Sequence, residues 1–187
     1  MDVIDESVRT QLLQLRLRVE SLLSTETSAT HMVVIDGSGR PVGKFLEITL
    51  EAHKLPFTYL NCRWLRDIHP HDIELLDCAR DQLRREQPKL WQWLKDNTGQ
   101  VILVDDQVNR GITLSCCMMF LKSFWPGLKV QAVVISRHSK ENHMPWLHRY
   151  DLIGIELSPC SFLATERPTV VSQLFYAELC RHANLPA

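Results

Sequence analysis

The stretch VILVDDQVNRGIT, residues 101–113, decides how this chain is read. Val101, Ile102, Leu103 and Val104 are branched and apolar, the composition of a short strand buried on both faces. Two acids follow, Asp105 and Asp106, and then a short loop containing Gly111. Thr113 opens an apolar segment of helical length that runs to Phe124 and is closed by Pro126-Gly127. A buried strand passing through a polar loop into a helix is the first half of a βαβ unit. Asn97-Thr98-Gly99 stops whatever precedes it, and residues 130–135 supply the next strand.

Working outward, the same alternation recurs. His31, Met32, Val33, Val34 and Ile35 form a short buried strand that ends at Asp36-Gly37-Ser38-Gly39-Arg40-Pro41. A helix follows over residues 42–53, and Pro56 precedes a strand over 57–62. Residues 72–94 are rich in helix formers, with Pro88 dividing them into two pieces. Residues 152–157 read as a further strand and 169–182 as a helix. At the N-terminus, Val8, Leu12, Leu15, Val19 and Leu22 fall at helical spacing over residues 8–23, and 24–30 form a polar Ser/Thr-rich connector. The pattern predicts an α/β fold with a mainly parallel central sheet flanked by helices. It divides into an N-terminal helix and connector, residues 1–30, and an α/β domain, residues 31–187, with a helical insertion at about 72–94. There are no internal repeats and no low-complexity tracts.

Composition narrows the function. With 187 residues, 45% hydrophobic and 23% charged, the chain has the make-up of a soluble globular protein with a core of ordinary size. A formal net charge of −1 argues against a general nucleic-acid coat, which needs a basic excess to neutralise phosphates. No run approaches the ~20 apolar residues that cross a bilayer. The opening MDVIDESVR is acidic where a signal peptide is basic, so a cytoplasmic protein without a membrane partner is expected. Cys62, Cys78, Cys116, Cys117, Cys160 and Cys180 include no CxxC pair and are expected to be small buried hydrophobes. Cys116 and Cys117, adjacent in a helix, point in different directions and make a poor disulfide. His69-Pro70-His71 reads as a loop entering a helix rather than a zinc site, because no further ligands stand at suitable spacing. The apolar stripe of the N-terminal helix would serve either a homodimer or the protein's own core.

The chemistry lies at the strand ends. In open α/β sheets, ligands bind where the carboxyl ends of strands lead into helices. The free N–H groups and partial positive charge of a helix N-terminus suit a phosphate. Gly111 lets the backbone approach it, and Thr113 adds a hydroxyl donor. Two carboxylates beside such a cradle suit ribose hydroxyls, directly or through magnesium. Gly37, Ser38, Gly39 and Arg40 are a second candidate phosphate loop after a buried strand.

The segment at residues 101–113 resembles the phosphoribosyl-diphosphate (PRPP) signature of the type I phosphoribosyltransferases. That motif is four apolar strand residues, two acids, three variable residues, Thr or Ser, Gly, any residue, and Thr or Ser. This chain has the strand, both acids, Gly111 and Thr113; it departs at Arg110, which still offers a guanidinium to a phosphate. Asn109 stands where some purine-type members place an Asp that acts as general base. The Asp36-to-Arg40 loop is similar to the family's pyrophosphate loop, and Tyr150-Asp151-Leu152-Ile153-Gly154-Ile155-Glu156 to its late strand near the base-binding hood. The resemblance covers roughly residues 31–164 and leaves residues 1–30 and 72–94 unexplained. The family's flexible catalytic loop falls between the second and third strands, where this chain departs most.

The resemblance implies a small-molecule substrate, PRPP or a nucleoside monophosphate, and Mg²⁺ as cofactor. It implies transfer of the 5-phosphoribosyl group to a nitrogenous acceptor with release of pyrophosphate. Asp105 and Asp106 would hold the ribose and, indirectly, the metal; Asn109, Arg110, Gly111, Ile112 and Thr113 would hold the 5′-phosphate; Gly37, Ser38, Gly39 and Arg40 would hold the pyrophosphate. Asp105, Asp106 and Asn109 are the catalytic candidates.

Two other readings stand beside this one. A non-catalytic PRPP- or nucleotide-sensing module would keep the fold and drop the reaction. A receiver-like domain would take VILVDD as its first strand, with paired acids binding magnesium, but the 31 residues after Glu156 are too few to complete that fold. The unremarkable alternatives are plain: paired acids that cap a helix, a Gly-Ser-Gly turn, solvated arginines at Arg63 and Arg66, and packing roles for Trp91, Trp93, Trp125 and Trp146.

Overall fold

The computed structural model describes residues 3–25, 28–37, 39–65, 73–96, 98–108, 112–137 and 152–154. Their sheet has the order β2-β1-β3-β4, with the short β5 on the outside of β4, and every described pair is parallel. The strands are β1 (Thr30–Ile35), β2 (Phe57–Leu60), β3 (Gln100–Val108), β4 (Lys129–Arg137) and β5 (Leu152–Gly154). The helices are α1 (Val3–Thr25), α2 (Arg40–Thr49), α3 (Ile73–Glu86), α4 (Pro88–Asp96) and α5 (Ile112–Phe124).

Both faces of the sheet are covered, which is why β1 is buried at every position and reads as an unbroken apolar run apart from Thr30 and His31. Strand alternation sends Val33, Ile35, Val101, Leu103, Ala132 and Val134 to the face packed by α3, α4 and α5. Met32, Val34, Ile102, Val104 and Val133 go to the face packed by α1 and α2. Gly43 lets α2 lie directly on β1: a Cβ there would stand 2.5 Å from Val34 Cγ2.

Several sequence expectations are corrected here. The N-terminal helix runs through Thr25, so the polar connector is shorter than residues 24–30, and Thr30 already belongs to β1. Within the described part of the amphipathic stripe, Leu15 and Val19 are buried in the core cluster that holds Val42, Phe45 and Leu46 of α2. The helix after β1 ends at Thr49, and a 3-10 turn at Glu51–His53 closes on Lys54 in the left-handed region, φ 51°. The described part of the 72–94 stretch lies between β2 and β3 in the chain, and its Leu76, Ala79, Leu83, Leu90 and Leu94 are core residues. Pro88 divides it into α3 and α4, standing at the first position of α4 where its missing N–H is not needed. Cys78 is exposed, against the expectation that the cysteines are buried, whereas Cys62 and Cys117 are buried and Cys116 half-buried. Cys160, Cys180, Arg66, His69, Pro70, His71, Trp146 and the helix expected at 169–182 lie outside the described residues, as does the strand at 152–157 beyond Gly154.

Candidate functional site

The order in which strands are added reverses between β1 and β3. From β1 the chain passes through α2 on one face to β2 at the edge; from β3 it passes through α5 on the other face to β4. The two connections leave adjacent strands in opposite directions and open a crevice at the carboxyl ends of β1 and β3, where open α/β sheets bind ligands.

The strand registers define that crevice. β1 and β3 pair as far as Val34 with Val104. β3 then continues alone with β4, pairing Asp105 with Val134, Gln107 with Ser136 and Val108 with Arg137. Asp105 and Asp106 therefore occupy successive positions of an overhanging strand; the expected strand end at Val104 is corrected by four residues. The extension forms because β4 offers backbone partners to Arg137, whereas β1 turns away after Ile35.

The loop leaving β1 folds back onto that overhang. The Asp36 N–H donates to the Leu60 carbonyl at 2.9 Å, which extends the contact with β2 by one residue. Gly37 then turns the chain with φ at +111°, a region that only glycine enters without strain. Gly39 caps α2 in an ordinary helical conformation, but a Cβ there would stand 2.6 Å from the Ile35 carbonyl oxygen and 3.1 Å from both Cα and Oδ1 of Asp105. Each glycine in Asp36-Gly37-Ser38-Gly39-Arg40 thus has a separate physical requirement: one for backbone conformation, the other for close approach to the β3 acid. Asp105 is 7% exposed, and its charge is felt by the buried Cys117 thiol on α5.

Arg40, in the candidate pyrophosphate loop, pairs with Asp36. Its guanidinium donates through Nε and Nη2 to the two Asp36 carboxylate oxygens, at 2.7 and 3.0 Å, and the Gly37 N–H donates to Asp36 Oδ1 at 2.9 Å. The Arg40 hydrogen bonds, followed by the Gly37 N–H and the Arg40 charge, hold Asp36 below the usual carboxylate range despite partial burial. The same partner raises the Arg40 pKa. Arg40 therefore braces the loop through Asp36, and its charge is already paired.

Sequence reasoning missed the shelf beside this loop. The Tyr59 ring on β2 carries the Arg40 guanidinium at 5.2 Å and the Lys44 ammonium at 4.8 Å. Its hydroxyl donates to Glu47 Oε2 at 2.8 Å, and Lys44 donates to the same oxygen at 2.6 Å. Burial pushes Glu47 up, but the hydrogen bonds from Lys44 and Tyr59 outweigh it and leave the carboxyl below its ordinary value. Burial first, then Glu47, pushes the Tyr59 phenol well up, so it stays a proton donor. The available signal was the spacing of Arg40, Lys44 and Glu47 along one helix face.

On the other side of the crevice, Ile112 opens α5 and Thr113 lies in its first turn, half-buried. Neither α2 nor α5 carries an acid in its first turn, so neither helix neutralises its own positive end. Ser38, Asn109, Arg110 and Gly111 lie outside the described residues. The structure thus brings together Gly37, Gly39, Asp36, Arg40 and Asp105 at one crevice, with Asp106 next along β3. Of the arginines read as solvated, Arg63 is exposed. Trp91 and Trp125 meet edge to face at 5.5 Å and pack, with Trp93, against the core.

Carboxylate oxygens suit a hard cation such as magnesium. Among the described residues, no group of three or more His, Cys, Asp or Glu side chains converges as a ready-made metal site. Among the described residues no helix is long and apolar enough to cross a membrane. No protein-family model matches this chain, and a search of curated proteins finds no match.

Proposed function

We propose that the crevice between β1 and β3 binds a 5-phosphoribosyl group, as PRPP or a nucleoside monophosphate, and that the chain is phosphoribosyltransferase-like. The observation that carries the proposal is the packing of Gly39 against Asp105, which sets the Asp36–Arg40 loop against the β3 acid where the strand order reverses. The two residues are 66 positions apart in the chain (105 − 39), so this approach of loop and acid is made by the fold and not by local sequence.

In this reading Asp105 and Asp106 hold the ribose hydroxyls. Backbone amides from Asn109 through Gly111 and Ile112 to Thr113, with the Thr113 hydroxyl and the Arg110 guanidinium, hold the 5′-phosphate. The loop of Gly37, Ser38, Gly39 and Arg40 cradles the pyrophosphate through its amides, braced by the Asp36–Arg40 pair. Asp105 and Asp106 would hold magnesium indirectly, through the donor or water, and the ion would supply positive charge to the diphosphate. The chain's own part is to position the donor and stabilise developing charge; Asn109, an amide, is no base and serves to orient the acceptor.

A second reading, a nucleotide-sensing module without turnover, is favoured by one observation. The family's flexible catalytic loop falls between the second and third strands, and here the described part of that connection is α3 and α4, packed into the core. The receiver-like reading is set aside because VILVDD is the third strand of a sheet whose first two precede it.

Pyrophosphate release from magnesium-PRPP, measured across a panel of purine, pyrimidine and simple amine acceptors, tests the proposal. Release with any acceptor supports the transferase; saturable PRPP or nucleotide binding without release supports the sensor. Absence of binding to PRPP and to nucleoside monophosphates overturns both.

A further inference from the structure

Two cysteines 55 positions apart meet in the core. Cys62 stands two residues after the end of β2, before the 3-10 turn at Arg63–Leu65; Cys117 is in the second turn of α5. Their Sγ atoms stand 3.2 Å apart, closer than the sum of two sulfur radii, and the Cys117 thiol donates to Cys62. Cys62 in turn donates to the Leu60 carbonyl at 3.5 Å. Both side chains are buried, at 3% and 1% exposure, in the same apolar cluster as Leu65, Leu114 and Leu121, and Cys116 and Asp105 are the other titratable groups whose charges reach Cys117. Two small apolar residues would fill this space without bringing two sulfurs into contact, so core packing alone does not require the pair. Bridging needs the sulfurs to close by about 1.2 Å, to the ~2.05 Å of a disulfide.

We propose that Cys62 and Cys117 are a redox pair that closes into a disulfide, tying the exit of β2 to α5. With a peroxide as oxidant, one thiolate attacks a peroxide oxygen, the O–O bond breaks, and a sulfenic acid forms with release of water. The second sulfur displaces the sulfenic oxygen, which leaves as water with the second thiol proton. Two thiols and one peroxide thus yield one disulfide and two waters. The bridge crosses one turn beyond Thr113 on α5, so its closure fixes the base of the helix that borders the crevice.

The hydrogen bond with Cys62, and then burial, hold the Cys117 thiol well above its ordinary pKa, so little thiolate is present near neutral pH. The pair therefore stays reduced longer than the exposed Cys78 and closes faster as pH rises. Closure constrains a long loop of the unfolded chain and raises the melting temperature.

The test is a disulfide map of the full-length, pre-reduced protein after hydrogen peroxide at pH 7 and pH 9, with remaining thiols alkylated before non-reducing digestion. The expected result is a Cys62–Cys117 linked peptide that a thiol reductant releases, formed faster at pH 9. It comes with a melting temperature several degrees above that of the reduced chain. Recovery of Cys62 and Cys117 as alkylated thiols after prolonged peroxide at pH 9, continued long past complete oxidation of Cys78, would overturn the proposal. So would links of Cys117 to Cys116, or a Cys62–Cys117 link seen only in guanidinium. These readings use the natural chain and do not depend on a variant folding; Cys117→Ala should leave Cys62 alkylated, and a new link from Cys62 to another cysteine counts against a dedicated pair.

Discussion

Replacing Gly39 by alanine isolates the contact on which the site depends. Gly39 has φ −75° and ψ −15°, a conformation open to any residue, so Gly39→Ala carries no backbone strain. The unfolded chain also loses entropy, which favours the variant by roughly 0.4–1 kcal/mol. Against this stands one methyl group 2.6 Å from the Ile35 carbonyl oxygen and 3.1 Å from Asp105 Cα, both backbone atoms of central strands that do not swing aside. Overpacking of this kind costs about 1–3 kcal/mol, so the net destabilisation is about 1–2 kcal/mol. For a chain of this size it lowers the melting temperature by roughly 2–8 °C. The relaxation that relieves the clash moves the Asp36–Arg40 loop away from Asp105, so ligand affinity falls as well. Gly37→Ala is the matched control. Nothing lies within 4 Å of its Cβ, and its penalty of about 1–2 kcal/mol comes from positive φ alone. Urea denaturation with unchanged m values measures both variants. A Gly39→Ala protein as stable as the parent, to within about 0.3 kcal/mol, refutes the close approach of loop and acid.

Further expectations follow from other contacts. Burial lowers the His31 pKa from 6.5 to about 4, and its Nδ1 has no partner. The unfolded chain therefore binds more protons between these values, so the His31 contribution is complete above about pH 6.5 and is lost as pH falls toward 4. The ceiling is about 3 kcal/mol, and urea midpoints at pH 4.5 and 7.5 should differ less in His31→Leu than in the parent. Tyr59→Phe removes the donor to Glu47 but keeps the ring under Arg40 and Lys44; a loss of about 1 kcal/mol in urea denaturation is expected, with Tyr59→Leu losing more. Gly43→Ala overpacks against Val34, and a double-mutant cycle with Val34→Ala should return a relieving coupling of roughly 0.5–3 kcal/mol.

The α/β character was legible because burial on two faces leaves a plain mark. Met32 to Ile35 and Val101 to Val104 are continuous apolar runs, and glycine, proline and asparagine punctuate the helices between them. What escaped the sequence were properties of pairing. Nothing in Gln107 or Val108 announces a strand; it exists because β4 supplies backbone partners out to Arg137. The helices of the 72–94 stretch were visible, but their amphipathic pattern does not reveal which sheet face they cover. At the site, glycine spacing was visible, but the reason for Gly39 is a neighbour far along the chain, Asp105, and the pairing of Arg40 with Asp36 rests on loop geometry. Cys62 and Cys117 gave no signal, since contact across the core leaves no local pattern.

The central claim is that the crevice beside Asp105 takes a phosphorylated ribose. Calorimetric titration of the protein with PRPP, with and without magnesium, and of a folded Asp105→Asn variant, tests it most directly. The account predicts magnesium-dependent binding by the parent that weakens at least tenfold in Asp105→Asn, whose folding is checked by circular dichroism. Binding of equal strength in the variant, or no binding by the parent in either condition, contradicts it.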